Sequence, residues 1–262
     1  MTVSSVRDFY DALAADYHLI FADWDASIAR QAEALDGVVR AQLGAGPQQL
    51  LDCSCGIGTQ AIGLAGLGHR VVGSDLSPAA VTRAATEAAA RGVALPVTAA
   101  DMRALPFRTA AFDVVVCADN SLPHLLTPDD IHTALLGIRR VLRDDGLLVL
   151  SVRDYDTIRA ARPASAPPQV STTPQGRVVT FQLWHWHEDG ERYDLEHFQL
   201  LPDGDGWEVR VRRTAYWALI RAQLTDAVLD AGFADVSWHE PEGSGFHQPV
   251  LTARRGRPWG RP

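Results

Sequence analysis

From Gln49 onward the chain alternates between two hydrophobic rhythms. Short, nearly unbroken apolar runs ("QLLDCS", "RVVGSD", "AFDVVVCAD", "GLLVLSVRD") are separated by stretches whose apolar residues recur every three to four positions. The runs predict strands buried on both faces, with "VTAAD" a weaker third strand, and the stretches predict helices. Punctuation agrees. Gly68 stops the helix "TQAIGLAGLG", Ser77 caps the next with Pro78 at its first position, and Gly92 closes it. Thr127 caps another, followed by Pro128 and by Asp129 and Asp130, acids suited to a helix start. Before this core, residues 5–43 read as helix in at least two segments, with Tyr10, Leu13, Ala14 and Tyr17 on one face and Ile28, Ala32 and Leu35 continuing an apolar stripe.

The rhythm changes after Arg162. "ARPASAPPQVSTTPQG" reads as a Pro/Ser/Thr-rich connection. Three polar-aromatic strand candidates follow, "RVVTFQLWHWHE", "RYDLEHFQLL" and "WEVRVRRTAYW", joined by the turn sequences "DGE" and "PDGDG". A helix "AQLTDAVLDAG" and strands "FADVSWHE" and "PVLTARR" complete the pattern. The expected fold is α/β, a mostly parallel central sheet with helices on both faces plus an inserted antiparallel three-stranded meander. We expect a single domain over 1–262, with a helical cap at 1–45, a core at 46–160, the meander at 161–220, and a closing helix and strands at 221–262. There are no internal repeats.

Composition narrows the function. The chain has 262 residues, 47% hydrophobic and 21% charged, enough for one large α/β domain. A net charge of −8 argues against a general affinity for nucleic acid or anionic membrane. The basic tail "ARRGRPWGRP" reads as a frayed terminus. The first residues lack a secretory pattern, and no apolar run is long enough to span a bilayer. Three cysteines, an odd number, suit a reducing, cytoplasmic compartment. Cys53 and Cys55 read as small residues at a crowded strand end rather than a metal or redox pair, and no metal site is expected.

Candidate chemistry starts at "DCSCGIG", where the first strand turns sharply. Gly56 and Gly58 let a ligand approach the backbone, although the spacing is not that of a dinucleotide fingerprint. The second strand ends in Asp75, 19 residues after Gly56, placed to accept both hydroxyls of a ribose. Asp101 and Met102 follow the third strand, within reach of an adenine amino group. Singly, Asp75 fits a turn cap and Asp101 a strand terminator; at successive strand ends they describe an adenosine site.

At this point the chain resembles the class I S-adenosylmethionine (SAM)-dependent methyltransferases, which have a Rossmann-like fold. "LLDCSCGIG", "VVGSDLSPAAV", "AADMRALPF", "FDVVVCADNSLPHL" and "VLRDDGLLVLSVRDYD" match that family's ordered motifs over roughly residues 10–255. "NSLPHL" followed by "RDYD" is most similar to the glycine and sarcosine N-methyltransferases, which carry "GNSFAHL" and "RNYD". The resemblance implies SAM as cofactor, leaving as S-adenosylhomocysteine, held by Tyr17, Arg30, Asp52, Ser54, Gly56, Gly58, Asp75, Leu76, Asp101, Met102 and Ala118. The family usually has glycine at the position of Ser54, and these relatives accept another small residue there. Arg30, 24 residues before Ser54, falls where the relatives bind the SAM carboxylate.

The same resemblance implies acceptor-side groups at Asn120, Ser121, His124, Asp154 and Tyr155, with Asn120 and Tyr155 touching substrate and His124 beside SAM. Methyl transfer is mostly proximity and orientation, and an ammonium acceptor must first lose a proton. Two departures bear on the substrate. Asp154 replaces the asparagine of "RNYD", and a gap-free count back from "RDDG" puts His132 where the relatives grip the glycine carboxylate with arginine. Those positions predict that glycine is a poor substrate and that a larger amine is preferred, unless Arg153 or Arg221 supplies the grip. Alternation in the meander places Trp184 and Trp186 on one face, suited to an amine, and His185 and His187 on the other. The meander, the Trp217 region and "EPEGSGFHQPVLTA" also resemble aminosugar N-methyltransferases.

The expected function is N-methylation of a small amine, amino acid or aminosugar-like, with neither nucleic acid nor membrane as partner. The alternatives are O- or C-methylation of a natural product and, against the retained acceptor-side motifs, non-catalytic SAM binding. The sequence leaves the oligomeric state open.

Overall fold

The computed structural model describes residues 5–256. The N-terminal segment forms helix α1 (Val6–Leu13), a 3-10 turn (Tyr17–Ile20) and helix α2 (Trp24–Leu43). The core then runs β1 (Gln49–Asp52), α3 (Thr59–Gly66), β2 (Arg70–Asp75), α4 (Pro78–Ala90), β3 (Val97–Ala99), β4 (Phe112–Cys117), α5 (Pro128–Val141), β5 (Leu142–Ser151) and α6 (Tyr155–Ala161). Next come β6 (Ser165–Thr173), β7 (Gly176–Trp186), β8 (Arg192–Asp203) and β9 (Gly206–Trp217), then α7 (Arg221–Asp230), β10 (Phe233–His239) and β11 (Val250–Arg255).

Among the described residues the strands form two sheets. The larger has the order β10-β11-β5-β4-β1-β2-β3; its five strands β1–β5 are parallel, and β11 is antiparallel to both β5 and β10. Its strands are apolar because both faces are covered: Leu50, Leu51, Val114, Val115, Val116, Leu148 and Val149 are fully buried. Helix starts follow the predicted caps. Ser77 accepts the N–H of Ala80 (3.0 Å) and Thr127 that of Asp130 (3.2 Å). Gly63 lets α3 sit tightly on α2, since a Cβ there would lie 2.5 Å from the Ala32 methyl and 2.7 Å from the Ile28 carbonyl oxygen.

The inserted sheet has four strands, β6-β7-β8-β9, not three. The stretch taken as a connection contains β6, an edge strand whose register on β7 shifts between Ala166 and Gln169. Pro167 and Pro168 sit at that shift, where an edge strand tolerates residues without an N–H. Alternation holds across the sheet. Trp184 pairs with Leu195 and Trp186 with Tyr193, and Tyr193 pairs with Tyr216, giving one continuous inward face. His185 and His187 point outward to Glu196 (3.2 Å) and Asp194 (3.0 Å). The sheet is pinned to the N-terminal segment by Asp16, whose carboxylate meets Arg210 (2.6 Å) and Arg212 (2.9 Å).

α6 lies in the stretch after β5 for which the sequence patterns set no element. At the other end, Ala253–Arg255 belong to β11, and Arg254 donates to the Gln42 carbonyl (2.6 Å), so the basic tail is not frayed from its start. Residues 257–262 of that tail lie outside the described residues. Among the described residues no helix is long and apolar enough to cross a membrane.

Candidate active site

Strand order reverses between β2-β1 and β4-β5, and at the carboxyl ends of these strands a cleft of about 590 Å³ opens. Tyr17, Ser54, Gly56, Asp75, Leu76, Asp101, Met102 and His124 all line it. Gly56 adopts φ +52°, and a Cβ there would lie 3.3 Å from the Tyr17 ring, so both conformation and space call for glycine. Its N–H donates to Asp75 Oδ2 (2.9 Å), and the Ser77 N–H donates to Asp75 Oδ1 (2.9 Å). Burial pushes the Asp75 carboxyl up from its ordinary pKa, opposed by those two N–H groups. Each oxygen retains a lone pair, which makes the residue a paired acceptor for a vicinal diol. Asp101 accepts from the Arg103 guanidinium, Nη2 lying 2.6 Å from Oδ2, and that pair holds its carboxyl below the usual range.

Beneath the glycine turn, Asp52 is buried. Its Oδ1 accepts the Ser54 N–H (3.3 Å), and its Oδ2 has no partner among the described residues. Burial pushes this carboxyl up to about 7. Gly58 is the left-handed N-cap of α3, and Ala118 is buried at the end of β4. Neither lines the cleft. Arg30 is not there. It is exposed on α2 and donates to Ser27 Oγ (3.1 Å), so matched spacing from Ser54 did not carry it into the cleft.

His124 forms one wall. Its Nδ1 faces the Ala215 carbonyl (3.2 Å), which puts the ring proton there, and its Nε2 accepts from the Tyr10 hydroxyl (2.7 Å). Tyr216 packs over the ring with centroids 4.1 Å apart. Burial pushes His124 down to about 3, so the imidazole is neutral. With Nε2 already occupied, His124 positions Tyr10 rather than serving as a base.

Tyr10 and Tyr17 also border a second, smaller chamber of about 80 Å³, lined further by Asp119, Arg153, Gln182, Leu195, His197 and Tyr216. Arg153 donates to the Tyr193 hydroxyl (2.9 Å) and lies over the rings of Trp184 (5.0 Å) and Tyr216 (5.3 Å). Burial opposes its charge, yet the surrounding tyrosines hold its pKa above the ordinary arginine value. No carboxylate of the described residues pairs with it. Asn120, buried beside it, accepts the Arg153 backbone N–H on Oδ1 (3.2 Å), and its Nδ2 has no partner among the described residues. His197 is pushed down to about 4 by burial, and its Nε2 is also unpartnered. Arg153, Gln182 and His197 separate this chamber from an outer cleft of about 350 Å³ that Trp184, Phe181 and Ile158 help to line.

Several acceptor-side expectations need correcting. His132 is exposed on α5 and borders none of these cavities, so the gap-free count back from "RDDG" missed the site. Asp154 is the N-cap of α6, accepting from the Thr157 N–H (3.3 Å) and hydroxyl (2.7 Å), which turns its carboxylate away from the chamber. Arg221 pairs with Glu240 on the surface. Tyr155 is buried behind the chamber, its hydroxyl 3.0 Å from that of Tyr193. Trp184 reaches the outer cleft, whereas the Trp186 indole donates to the Pro163 carbonyl (3.1 Å). The sequence reading missed Tyr10, Asp119, Gln182, Tyr193, His197 and Tyr216. Extending the alternation of Trp184 and Trp186 through the paired strands would have found four of these: Gln182, Tyr193, His197 and Tyr216.

Residues 50–146 match the family described as a methyltransferase domain. The glycine/sarcosine N-methyltransferase of Parasynechococcus marenigrum (strain WH8102) is 35% identical over 159 residues, covering 59% of this chain and 56% of that protein. The enzyme of the same name from Aphanothece halophytica is 32% identical over 114 residues, 43% of each chain. The chain thus spans about half the length of the curated relatives it matches. Among solved structures, the sugar N-methyltransferase KedS8 from Streptoalloteichus sp ATCC 53650 superposes with a TM-score of 0.73 at 22% identity, over 98% of this chain and 95% of that one. CalS10, a SAM-bound amino pentose methyltransferase from Micromonospora echinaspora, gives 0.68 at 21% identity, over 86% and 91%. The fold is therefore the class I, Rossmann-like methyltransferase fold with an inserted antiparallel sheet. In sequence it is similar to the glycine/sarcosine N-methyltransferases.

Proposed function

We propose that the protein is a SAM-dependent N-methyltransferase whose acceptor is a small amine carrying a carboxylate. One observation carries this reading: Arg153, a half-buried guanidinium without a carboxylate partner among the described residues, lines a chamber that shares Tyr10 and Tyr17 with the cofactor cleft. A cation drawn partly out of water without a counter-charge is unfavourable, and a ligand carboxylate is the group that would satisfy its fork of donors. Size agrees. At roughly 10–15 Å³ per water-sized group, 80 Å³ holds roughly five to eight such groups, about the size of glycine or sarcosine and less than a sugar ring.

The donor set also suits the cofactor. Asp75 offers two free lone pairs for the ribose, and Gly56 lets the ligand approach the loop. When bound, SAM supplies an electrophilic methyl group on a sulfonium. The chain's residues orient and shield: Tyr10 and Tyr17 form the partition between cofactor and acceptor, His124 fixes the Tyr10 hydroxyl, and Arg153 sets where the acceptor's carboxylate lies. The neutral imidazole of His124 adds no charge beside the sulfonium.

The outer cleft supports a second reading, an aminosugar-like acceptor with its amine in the chamber and its ring against Trp184. A direct comparison separates the two. Glycine, sarcosine, larger amino acids and aminosugars are incubated with SAM carrying a labelled methyl group. The reading expects the highest kcat/KM for a small amino acid; turnover of aminosugars alone would overturn it in favour of the second. The three cysteines are free and buried, which supports a cytoplasmic setting.

A further inference from the structure

The acceptor chamber has a second pole. Asp119 lines it together with Arg153, two residues after β4 and one before Asn120. Its backbone adopts φ +56° and that of Asn120 φ +67°, two successive side-chain-bearing residues in the left-handed region. Asp and Asn tolerate that region better than other residues, but it remains strained, and such strain persists where the surroundings over-determine it. Here they do. The Asp119 N–H donates to Ser151 Oγ (2.7 Å) and the Asn120 N–H to the Ser151 carbonyl (3.1 Å), tying the turn to the end of β5. The motif quoted above for the similar enzymes, "GNSFAHL", has glycine where this chain has Asp119.

The carboxylate is only half used. Oδ1 accepts from Gln248 Nε2 (3.0 Å) and lies 3.2 Å from His247 Nε2, while Oδ2 bonds nothing among the described residues. After burial, the charge of Asp119 is the largest cause raising the pKa of the Tyr17 hydroxyl, so it acts on the partition between chamber and cofactor cleft. Arg153, Tyr17, Tyr216 and His197 are the other titratable groups facing the chamber besides Tyr10, and Arg153 is the charged one.

We propose that Asp119 is the residue that binds the ammonium group of the acceptor, so that the chamber recognises a zwitterion: ammonium at Asp119, carboxylate at Arg153. This deepens the reading of the site as an N-methyltransferase and rests on it. An amine without a carboxylate loses one pole, and a carboxylic acid without an amine loses the other. Asp119 thereby sets specificity for an amine-bearing acceptor.

Two variants test it. Asp119→Gly removes the charge and occupies a positive φ without strain, so the variant is expected to melt at the same temperature as the wild type or higher. Asp119→Asn removes the charge while keeping the shape. In both, KM for glycine or sarcosine is expected to rise at least about tenfold, as for loss of a charge-assisted hydrogen bond. The same weakening is expected by calorimetry for either amino acid binding to the S-adenosylhomocysteine-loaded protein, with affinity for S-adenosylhomocysteine unchanged within about twofold. Unchanged KM and affinity for the amino acid in both variants would overturn the assignment, as would full activity in Asp119→Asn with loss only in Asp119→Gly, which would make the turn's shape the cause. If the wild type methylates no amine and binds no amino acid, the underlying N-methyltransferase reading fails instead, and this assignment falls with it.

Discussion

The proposed cofactor cleft and the proposed acceptor chamber share Tyr10 and Tyr17 but are built in opposite ways. The cleft takes most of its polar chemistry from the ends of β1, β2 and β3, closed over by Tyr10, Tyr17 and His124, and much of that chemistry is backbone: the Gly56 and Ser77 N–H groups hold Asp75 in place. The chamber is gathered from α1, the ends of β4 and β5, and three strands of the inserted sheet, and its chemistry is almost all side chain. A site fixed by the parallel sheet can be inherited by any acceptor chemistry, whereas one fixed by an insertion can change with it.

The sharpest way to break the comparison is at Arg153. Arg153→Met keeps the length and the contact with Trp184 and Tyr216 while removing the charge. It is expected to lower kcat/KM for a carboxylate-bearing acceptor about a thousandfold, in the range for one partner of a buried charge pair, and to leave SAM affinity nearly intact. His132→Ala, outside the chamber, is expected to leave steady-state kinetics unchanged within about twofold. Equal losses in both variants would return the carboxylate grip to α5.

Next in size is the cofactor side. Asp75→Ala is expected to weaken SAM binding about 10–100-fold, measured by calorimetry, since it strips charged hydrogen bonds from the ribose and loosens the Gly56 turn. Arg30→Ala, on the exposed face of α2, serves as the control and is expected to bind SAM as the wild type does.

The smallest effect is on stability. Burial raises the Asp52 carboxyl from 3.8 to about 7, so the folded protein holds this proton more tightly than the unfolded chain does. The resulting stabilisation is fully present below the unfolded value and is lost as pH rises through about 7. The melting temperature of the cofactor-free protein is therefore expected to fall by a few degrees between pH 5 and 8, with this component missing in Asp52→Asn. Scanning calorimetry in a series of buffers would show it, and parallel pH profiles for the two proteins would count against the assignment.

The amino-acid sequence by itself determined the parallel core and most of the cofactor cleft. In a β-α-β unit the carboxyl end of each strand must reach the same edge of the sheet, so an acid at a strand end, such as Asp75, has its place set by local pattern alone. Arg30 shows the limit of counting: one turn of helix either way moves a side chain from the cleft to solvent. Only the tertiary structure decided the acceptor side. Arg153 and Asp154 are neighbours, and the start of α6 turns Asp154 into a helix cap while β5 carries Arg153 inward. Nothing local distinguished them, nor Arg153 from His132 or Arg221. The selection came from docking the inward aromatic face of the four-stranded sheet over the end of the core, where Trp184, Tyr193 and Tyr216 surround one guanidinium that has no carboxylate partner among the described residues.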